Sequence, residues 1–322
     1  MEIIVNNQEE LDKLDKLDAS FKGSIYITGT IETIDKTYEV PIYIQGNAKI
    51  NTLRSKTKII HIGGEAYIKN ICGYTRVYSI SDTARIENIY NSAKIDIIRG
   101  EVHVENIYDN AKIVQVTENV TINNVYGKVL IQWIDDKVHI TNLYENARIY
   151  EMLEDAQIEH VYGNASIEKI SDNCVILKVS DSPTIVNVRR HATILNVSGN
   201  TYIVDVSGNA IIKNVSGNAK IHMIEGNSQI ENVSESAILE NISGNTIIKN
   251  VSGNVKIQMT YGSSVIRNVS GNVHIHTVAE EADIINVSGN VILEIIMDKV
   301  ILRNIAPSVQ LIEIAPSVIM KK

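Results

Sequence analysis

The sequence is poor in the residues that fill large globular cores and in those that cross-link small secreted domains. Its 322 residues include one Phe, one Trp and two cysteines, Cys72 and Cys174. The cysteines lie far apart along the chain, so we expect no disulfide between them. The first residues lack a basic segment followed by an apolar stretch, and no apolar run approaches the length of a membrane span. These absences predict a cytoplasmic protein without membrane contact.

The charge is also too small for several functional classes. The formal net charge is −8, which argues against a generic nucleic-acid binder and falls well short of a strongly acidic polyanion mimic. No phosphate-binding loop and no nucleophile paired with a base stands out. We therefore expect no cofactor, and we do not expect nucleic acid as a partner.

What the sequence does contain is a strict repeat of nine residues. Counting in nines from Gly46 places one glycine after another in the same frame, and this frame continues to Pro316 without an insertion. The best-preserved repeat reads G-N-A-x-I-x-N-V-S. A fixed period of this kind indicates a repeat architecture, in which each repeat contacts only its neighbours.

Within one repeat, numbered from its Gly as position one, the apolar residues alternate as in a β-strand. Position five is aliphatic from Ile50 to Met320, position eight is aliphatic from Leu53 to Ile314 except at Thr260, and position three is small or β-branched. Positions four and six vary and carry most of the charge, so we expect them to face solvent. One strand and one bend cannot bury an apolar side alone. The repeats are therefore predicted to stack as an all-β, parallel β-solenoid.

The coil is predicted to contain two repeats, or eighteen residues. At position seven of alternate repeats, twelve of fourteen residues are Asn. Stacked Asn side chains can hydrogen-bond to one another in an amide ladder. The ladder positions are Asn70, Asn88, Asn106, Asn124, Asn142, His160, Lys178, Asn196, Asn214, Asn232, Asn250, Asn268, Asn286 and Asn304.

Residues 1–45 depart from the repeat and are interpreted as a strand–helix cap with a first irregular coil, ahead of a β-solenoid domain at 46–322. Residues 3–5 are predicted to form a strand. Asn7 can cap a short amphipathic helix over residues 8–17, and residues 21–29 are predicted to form a strand and a turn. Such a helix would cover the exposed edge of the first coil.

Two rows of surface residues are candidate partner-binding sites. Tyrosine recurs at position nine of the Asn-bearing repeats, and serine takes its place from Ser180 onward; the alternative interpretation is a stack that only stiffens the bend. Cations recur at position four of the other repeats, and the alternative is a solvated charged face. The residues are Tyr90, Tyr108, Tyr126, Tyr144 and Tyr162 in the first row, and Lys58, Arg76, Lys94, Lys112 and Arg148 in the second.

Apolar residues at the outward positions four and six mark a candidate self-association surface, since exposed apolar clusters on β-faces typically form interfaces. They are Val175, Leu177, Val186, Leu195, Tyr202, Val204 and Ile211. The C-terminal repeats, in which Pro307 and Pro316 replace Gly, are a second candidate for docking between copies; the alternative is that proline and the two final lysines blunt the edge.

The remaining chemistry is sparse. The carboxylates at Asp135, Asp136, Glu154, Asp155, Asp172 and Asp181 occur singly or in pairs at bends and are interpreted as turn residues rather than catalytic groups. His274 and His276, two apart on a strand, point the same way and could supply half a metal site, but no third ligand is evident. We predict no catalytic residues, no metal site and no enzymatic activity.

The repeat, together with E-E-L-D at residues 9–12 and F-K-G-S-I-Y-I at residues 21–27, resembles a loosely defined group of bacterial and phage proteins built from near-identical repeats of eight or nine residues. The resemblance covers essentially the whole chain and implies the solenoid and the cap, but it transfers no functional residue. It places the expected location in the host cytoplasm if a phage encodes the chain.

Three functions stay open on these grounds. The first is a non-enzymatic protein-binding scaffold, which in a phage could bind or sequester a host defence protein. The second is a structural or adhesion element that associates with itself through the C-terminal repeats. The third is a carbohydrate-active β-helix. Variation at positions four and six favours the first, because a uniform filament needs no unique patches.

Overall fold

The computed structural model describes residues 2–14, 21–54, 56 and 58–322. The chain divides into two compact units, Met1–Ile158 and Glu159–Lys322, called here the N-terminal and C-terminal units. Each unit consists of short parallel strands stacked in coils, so the predicted all-β, parallel β-solenoid is confirmed. Among the described residues, no helix is long and apolar enough to cross a membrane.

The first half of the described chain contains one helix, α1 (Gln8–Lys13), and sixteen strands. The strands are β1 (Glu2–Asn7), β2 (Ser24–Ile34), β3 (Ile42–Ile44), β4 (Lys49–Leu53), β5 (Lys58–Ile62), β6 (Tyr67–Ile71), β7 (Arg76–Ile80), β8 (Arg85–Ile89), β9 (Lys94–Ile98), β10 (His103–Ile107), β11 (Lys112–Val116), β12 (Thr121–Val125), β13 (Leu130–Ile134), β14 (His139–Leu143), β15 (Arg148–Met152) and β16 (Gln157–Val161).

The second half contributes a further eighteen strands within the described residues. They are β17 (Ser166–Ile170), β18 (Val175–Val179), β19 (Thr184–Val188), β20 (Thr193–Val197), β21 (Tyr202–Val206), β22 (Ile211–Val215), β23 (Lys220–Ile224), β24 (Gln229–Val233), β25 (Ile238–Ile242), β26 (Ile247–Val251), β27 (Lys256–Thr260), β28 (Val265–Val269), β29 (His274–Val278), β30 (Asp283–Val287), β31 (Ile292–Ile296), β32 (Ile301–Ile305), β33 (Gln310–Ile314) and β34 (Ile319–Lys321).

The coil contains eighteen residues, as predicted, because each strand pairs with the next but one. In the N-terminal unit, Ile86 pairs with Val104, and Val104 with Ile122. In the C-terminal unit, Ile212 pairs with Ile230 in the same way. Identical positions therefore stack directly above one another. Any residue type that recurs every eighteen residues forms a continuous row on the surface or in the core.

The core consists of the aliphatic residues at positions three, five and eight. Ala219, Ile221 and Ile224 of one repeat are all fully buried, and the same positions are buried at every described residue of the repeats from Ala48 to Leu302. Positions four and six remain half-buried or exposed, as expected for the outer side of a strand. Thr260, which interrupts the series of apolar residues at position eight, is also fully buried.

From Gly64 to Asp298, the residue at position one of every bend has left-handed backbone, whereas the last two bends have Pro307 and Pro316 there, and the proline ring excludes a positive φ. Gly226, with φ of 71°, is typical of the glycines that occupy position one. Where the residue is acidic, as at Glu235 (φ 59°), the carboxylate accepts a hydrogen bond from the backbone N–H one coil earlier, at Gly217 (2.8 Å). This bond offsets part of the strain of a side chain in the left-handed region.

The Asn ladder predicted at position seven is confirmed in both units. Asn106 Nδ2 donates to Asn88 Oδ1 (3.1 Å), and Asn106 Oδ1 accepts from Asn124 Nδ2 (3.0 Å). In the C-terminal unit, Asn232 donates in the same way to Asn214 (2.8 Å). The structure also contains shorter Asn rows at position two that the sequence analysis missed, as in the bond from Asn245 to Asn227 (3.1 Å).

At the N-terminus, the predicted strand over residues 3–5 and the Asn7 cap are confirmed, since Asn7 Oδ1 accepts from Glu10 N (2.9 Å). The first residue of the helix, Gln8, holds the helix against β2, because its Oε1 accepts hydrogen bonds from the backbone N–H groups of Glu32 and Thr33 (both 3.0 Å). The helix spans Gln8–Lys13 with Leu14 as its C-cap, and residues 15–17 of the predicted helix lie outside the described residues.

The turn predicted to end near Gly29 is wrong, because β2 continues through this residue to Ile34. The reason is a close approach between two strands. A Cβ atom at residue 29 would lie 1.8 Å from the carbonyl oxygen of Asn6, so only glycine fits here.

Candidate functional site

The tyrosine row forms a stack along one bend of the N-terminal unit. Successive rings of Tyr90, Tyr108, Tyr126 and Tyr144 have centroids 4.9, 5.1 and 5.0 Å apart and interplanar angles of 3°, 8° and 13°. All four rings are half-buried, so each presents part of its surface to solvent. Tyr162 occupies the next position of the row in sequence but belongs to the C-terminal unit, where it is also half-buried.

Burial and neighbouring groups raise the pKa of three phenols of the row, Tyr90, Tyr108 and Tyr126. A hydrogen bond with Cys72, together with burial, raises the pKa of Tyr90 to about 12. Burial is also the main cause that raises the pKa of Tyr108 and of Tyr126. Cys72, buried at the equivalent position of the previous coil, thus continues the row at its N-terminal side. These three phenols are therefore neutral hydrogen-bonding groups at physiological pH.

In the C-terminal unit the same bend is built with serine. Ser198 Oγ donates to the carbonyl oxygen of Val179 (3.3 Å), and Ser216 Oγ to that of Val197 (3.4 Å). These hydrogen bonds provide the backbone carbonyl groups of the bend with side-chain donors, although no aromatic ring is present. The tyrosines are therefore not a geometric requirement of the bend.

The predicted cationic row lies just across a turn from the tyrosines. In the register, Lys58, Arg76 and Lys94 stand on β5, β7 and β9, and the row continues through Lys112, Leu130 and Arg148. The tyrosine carbonyl accepts from the residue three positions on, as in Ala93 N to Tyr90 O (3.3 Å), and the cation follows directly. We call the combined surface the Tyr–Lys corner: Tyr90, Tyr108, Tyr126 and Tyr144 with Arg76, Lys94, Lys112 and Arg148.

Part of the cationic row is already neutralised. Arg76 forms an ion pair with Asp96 (2.8 Å), and Lys94 Nζ lies 3.8 Å from the same carboxylate. The hydrogen bond with Asp96 raises the pKa of Arg76, and the guanidinium lies 4.6 Å from the Tyr78 ring centroid. Lys112 and Arg148 are exposed. The accessible positive charge of the corner is therefore concentrated at its C-terminal end.

The seven apolar candidates for self-association lie on two strand faces. Leu177 and Leu195 are one coil apart on β18 and β20, whereas Val186 and Val204 are one coil apart on β19 and β21. Lys220 Nζ lies 5.7 Å from the ring centroid of Tyr202. All seven, which also include Val175 and Ile211, are half-buried. They form short rows on separate faces instead of one patch.

The acidic candidates lie in turns, as interpreted from the sequence. Asp136, Glu154, Asp172 and Asp181 have φ between 56° and 69° at position one. Hydrogen bonds from the Thr117 hydroxyl and the backbone of Glu118 lower the pKa of Asp136. The charge of Asp136 in turn raises the pKa of Glu154. The carboxylates of Asp136 and Asp181 accept hydrogen bonds from the bend backbone at Glu118 N (3.2 Å) and Gly163 N (3.2 Å), whereas Asp172 contacts the side chains of Ser171 and Arg190.

His274 and His276 have a partner that the sequence analysis missed, Glu294 on β31. Its Oε2 accepts from His276 Nδ1 (2.7 Å) and from His274 Nε2 (2.8 Å). These two hydrogen bonds lower the pKa of Glu294. The signal that could have found Glu294 is the coil period, since it follows His276 by eighteen residues.

Fold and surface together define the class as a parallel β-solenoid with a stacked-tyrosine bend beside a cationic row. Comparisons of this chain with protein-family models, with curated proteins and with solved structures found no match.

Proposed function

We propose that this chain is a non-enzymatic protein-binding scaffold whose contact surface is the Tyr–Lys corner. The observation that carries the proposal is the tyrosine stack, because the serine-built bend of the C-terminal unit has the same geometry without rings. Tyrosine offers a large contact area and a hydroxyl at a small loss of rotamer entropy, and it is enriched among residues that dominate binding energy.

The partner has an acidic and partly apolar surface. The exposed cations at Lys112 and Arg148 attract carboxylates, and the half-buried rings supply the apolar contact. The resemblance to bacterial and phage repeat proteins supports a setting in which a phage encodes the chain. The partner is then a host protein, such as a component of a defence system, that is bound in the cytoplasm.

The test replaces Tyr108 and Tyr126 together by serine, the residue that builds this bend elsewhere in the chain. The immobilised full chain is used to capture proteins from a host lysate, and the captured protein is then titrated against each variant. The double variant is expected to bind at least about tenfold more weakly, as for loss of central tyrosines in an interface. Raised salt should weaken binding further, since the proposed contact is partly electrostatic.

Tyr261→Ser is the matched control, because Tyr261 is a half-buried tyrosine at position nine of its repeat but outside the stack. It should bind as the unmodified chain does. Equal capture by the double variant and by the control would refute the Tyr–Lys corner as the contact surface. Failure of the unmodified chain to capture any protein would refute the scaffold function itself.

A structural element that associates with itself is the second candidate. It is favoured by four exposed apolar side chains on β33 and β34: Ile312, Ile314, Ile319 and Met320. A second copy could cover these residues by strand addition. Light scattering after size-exclusion chromatography distinguishes the two candidates. Oligomers that Ile312→Lys dissociates support self-association, whereas a monomer at all concentrations argues against it.

A further inference from the structure

We propose that His274, His276 and Glu294 form a binding site for a divalent first-row transition-metal ion, with Zn²⁺ as the reference ion. One imidazole nitrogen from each histidine and one carboxylate oxygen of Glu294 all lie within 4.8 Å of one another. The residues stand on the outward side of two neighbouring coils, at positions four and six of β29 and at position six of β31. This site is independent of the Tyr–Lys corner, which belongs to the N-terminal unit.

The solenoid itself brings the three ligands together. His274 and His276 are two residues apart on one strand, so their side chains leave the same face. The register pairs Ile275 with Leu293, and therefore sets Glu294 beside His276 one coil further on. Both histidines are on a strand that Ile275 and Val278, both fully buried, anchor in the core. A site built on strands is better positioned than one built on loops.

The distances require side-chain rotations in all three ligands. The ligand atoms lie within 4.8 Å of one another, so the two imidazole nitrogens must approach each other by up to about 1.5 Å to reach the spacing of one coordination shell. Glu294 Oε2 lies 2.8 Å from His274 Nε2 and 2.7 Å from His276 Nδ1. Around a tetrahedral Zn²⁺ with bonds of about 2.0–2.1 Å, neighbouring ligand atoms are about 3.3 Å apart. The carboxylate must therefore withdraw by roughly half an ångström from each nitrogen, which rotation about the side-chain bonds of Glu294 can supply.

The ligand types suit a borderline transition metal. Neutral imidazole favours Zn²⁺, Cu²⁺, Ni²⁺ and Fe²⁺, and two histidines with one carboxylate leave further coordination positions open. His276 is exposed, and His274 and Glu294 are half-buried, so water or a group from another molecule can reach these open positions. Lys256 pairs with His274 in the register on the preceding coil, and its cation opposes metal binding, although its flexible stem can carry the ammonium away.

The chain contains a natural comparison three coils earlier. Lys220, His222 and Glu240 occupy the same three positions on β23 and β25. Lys220 Nζ lies 2.6 Å from Glu240 Oε1, and His222 Nδ1 lies 2.5 Å from Glu240 Oε2. Burial opposes the ionised form there, but hydrogen bonds from Lys220 and His222 outweigh it and lower the pKa of Glu240. A protonated lysine has no lone pair for a metal. The residue at position four therefore decides the kind of cluster: Lys220 gives an ion-pair cluster, and His274 gives a metal site.

The test exchanges the residues at position four between these clusters in the full chain without a histidine tag. Zn²⁺ is titrated into the protein by isothermal calorimetry, and Co²⁺ provides visible absorption bands that report coordination geometry. We expect one Zn²⁺ per unmodified chain. His274→Lys should weaken Zn²⁺ binding by roughly a hundredfold. Loss of a residue that only hydrogen-bonds to a metal ligand already weakens metal binding by about 10–100-fold, and this change removes a ligand itself. Lys220→His should add a second site.

His274→Lys is expected to keep the fold, because lysine already stands at the equivalent position in Lys220, and circular dichroism verifies this. Equal Zn²⁺ affinity in the unmodified chain and in His274→Lys would overturn the proposal, as would the absence of binding by the unmodified chain. A Lys220→His chain that binds only one ion would show that this arrangement of three residues is insufficient to hold a metal, and would overturn it as well.

Discussion

Thr260 provides a sharp test of how the solenoid core is stabilised. It is the only residue of position eight between Leu53 and Ile314 that is not aliphatic, and its side chain is fully buried. Its neighbours in the stack are Ile242 and Val278. Among the described residues, no group forms a hydrogen bond with its Oγ1. The hydroxyl therefore lost its hydrogen bonds to water on folding without replacing them.

Thr260→Val removes this hydroxyl and keeps the shape of the side chain. A buried hydroxyl without a partner costs about 1–3 kcal/mol, so the variant should be more stable by roughly 2 kcal/mol. Because repeat proteins can open locally, hydrogen exchange of the amides in β25, β27 and β29 is the direct measurement, with denaturant unfolding beside it. A gain of about 2 kcal/mol slows exchange through local opening by roughly thirtyfold.

Thr246→Val is the matched control. Thr246 is equally buried, but its Oγ1 donates to the carbonyl oxygen of Ser243 (2.7 Å). Valine occurs at the same position three in Val255, so the change introduces no steric conflict. Loss of the hydrogen bond should destabilise this variant by about 1 kcal/mol. Destabilisation by Thr260→Val, or the same sign of change in both variants, would refute the reasoning.

Two further predictions concern the rows on the surface. Because the folded-state pKa of Tyr90 is raised from 10.0 to about 12, folding favours its neutral form; its contribution to stability is complete below pH 10 and is lost as pH rises through about 12. In a spectrophotometric titration of Tyr90→Phe, the tyrosine that ionises at the highest pH should therefore be missing. A tyrosine that still ionises near pH 12 in this variant would contradict the prediction. In the Asn ladder, Asn106→Ala removes two side-chain hydrogen bonds and Asn304→Ala removes one. The free energy of unfolding should fall by about 2 and about 1 kcal/mol respectively, and equal losses in denaturant titrations would count against the ladder.

The regular part of the fold was predictable because its causes are local and repeat at fixed intervals. Alternation of apolar residues over five positions specifies a strand, and the nine-residue frame specifies where each strand begins. The Asn at every eighteenth position implied the coil length, and the bonds between Asn214 and Asn232 confirm it. Asn7 likewise predicted the start of α1, because its cap depends on residues only three apart.

Several features escaped the sequence analysis because they depend on what lies one coil away. Gly29 was predicted to lie in a turn, and only the close approach of the Asn6 backbone explains why glycine occurs within β2. The cationic row was predicted from its spacing alone, and only the structure shows that Asp96 contacts both Arg76 (2.8 Å) and Lys94 (3.8 Å). Glu294 appeared unrelated to His276 until the register aligned them.

The sequence by itself determined the fold class, the residues of the core and the length of the coil. These follow from side-chain polarity repeated along the chain, because each strand can bury its apolar side in only one way. The tertiary structure alone decided which surface groups meet, because contacts between coils depend on rotamers and on residues eighteen to twenty positions apart. The ion pairs of the Tyr–Lys corner and the cluster around Glu294 are such contacts.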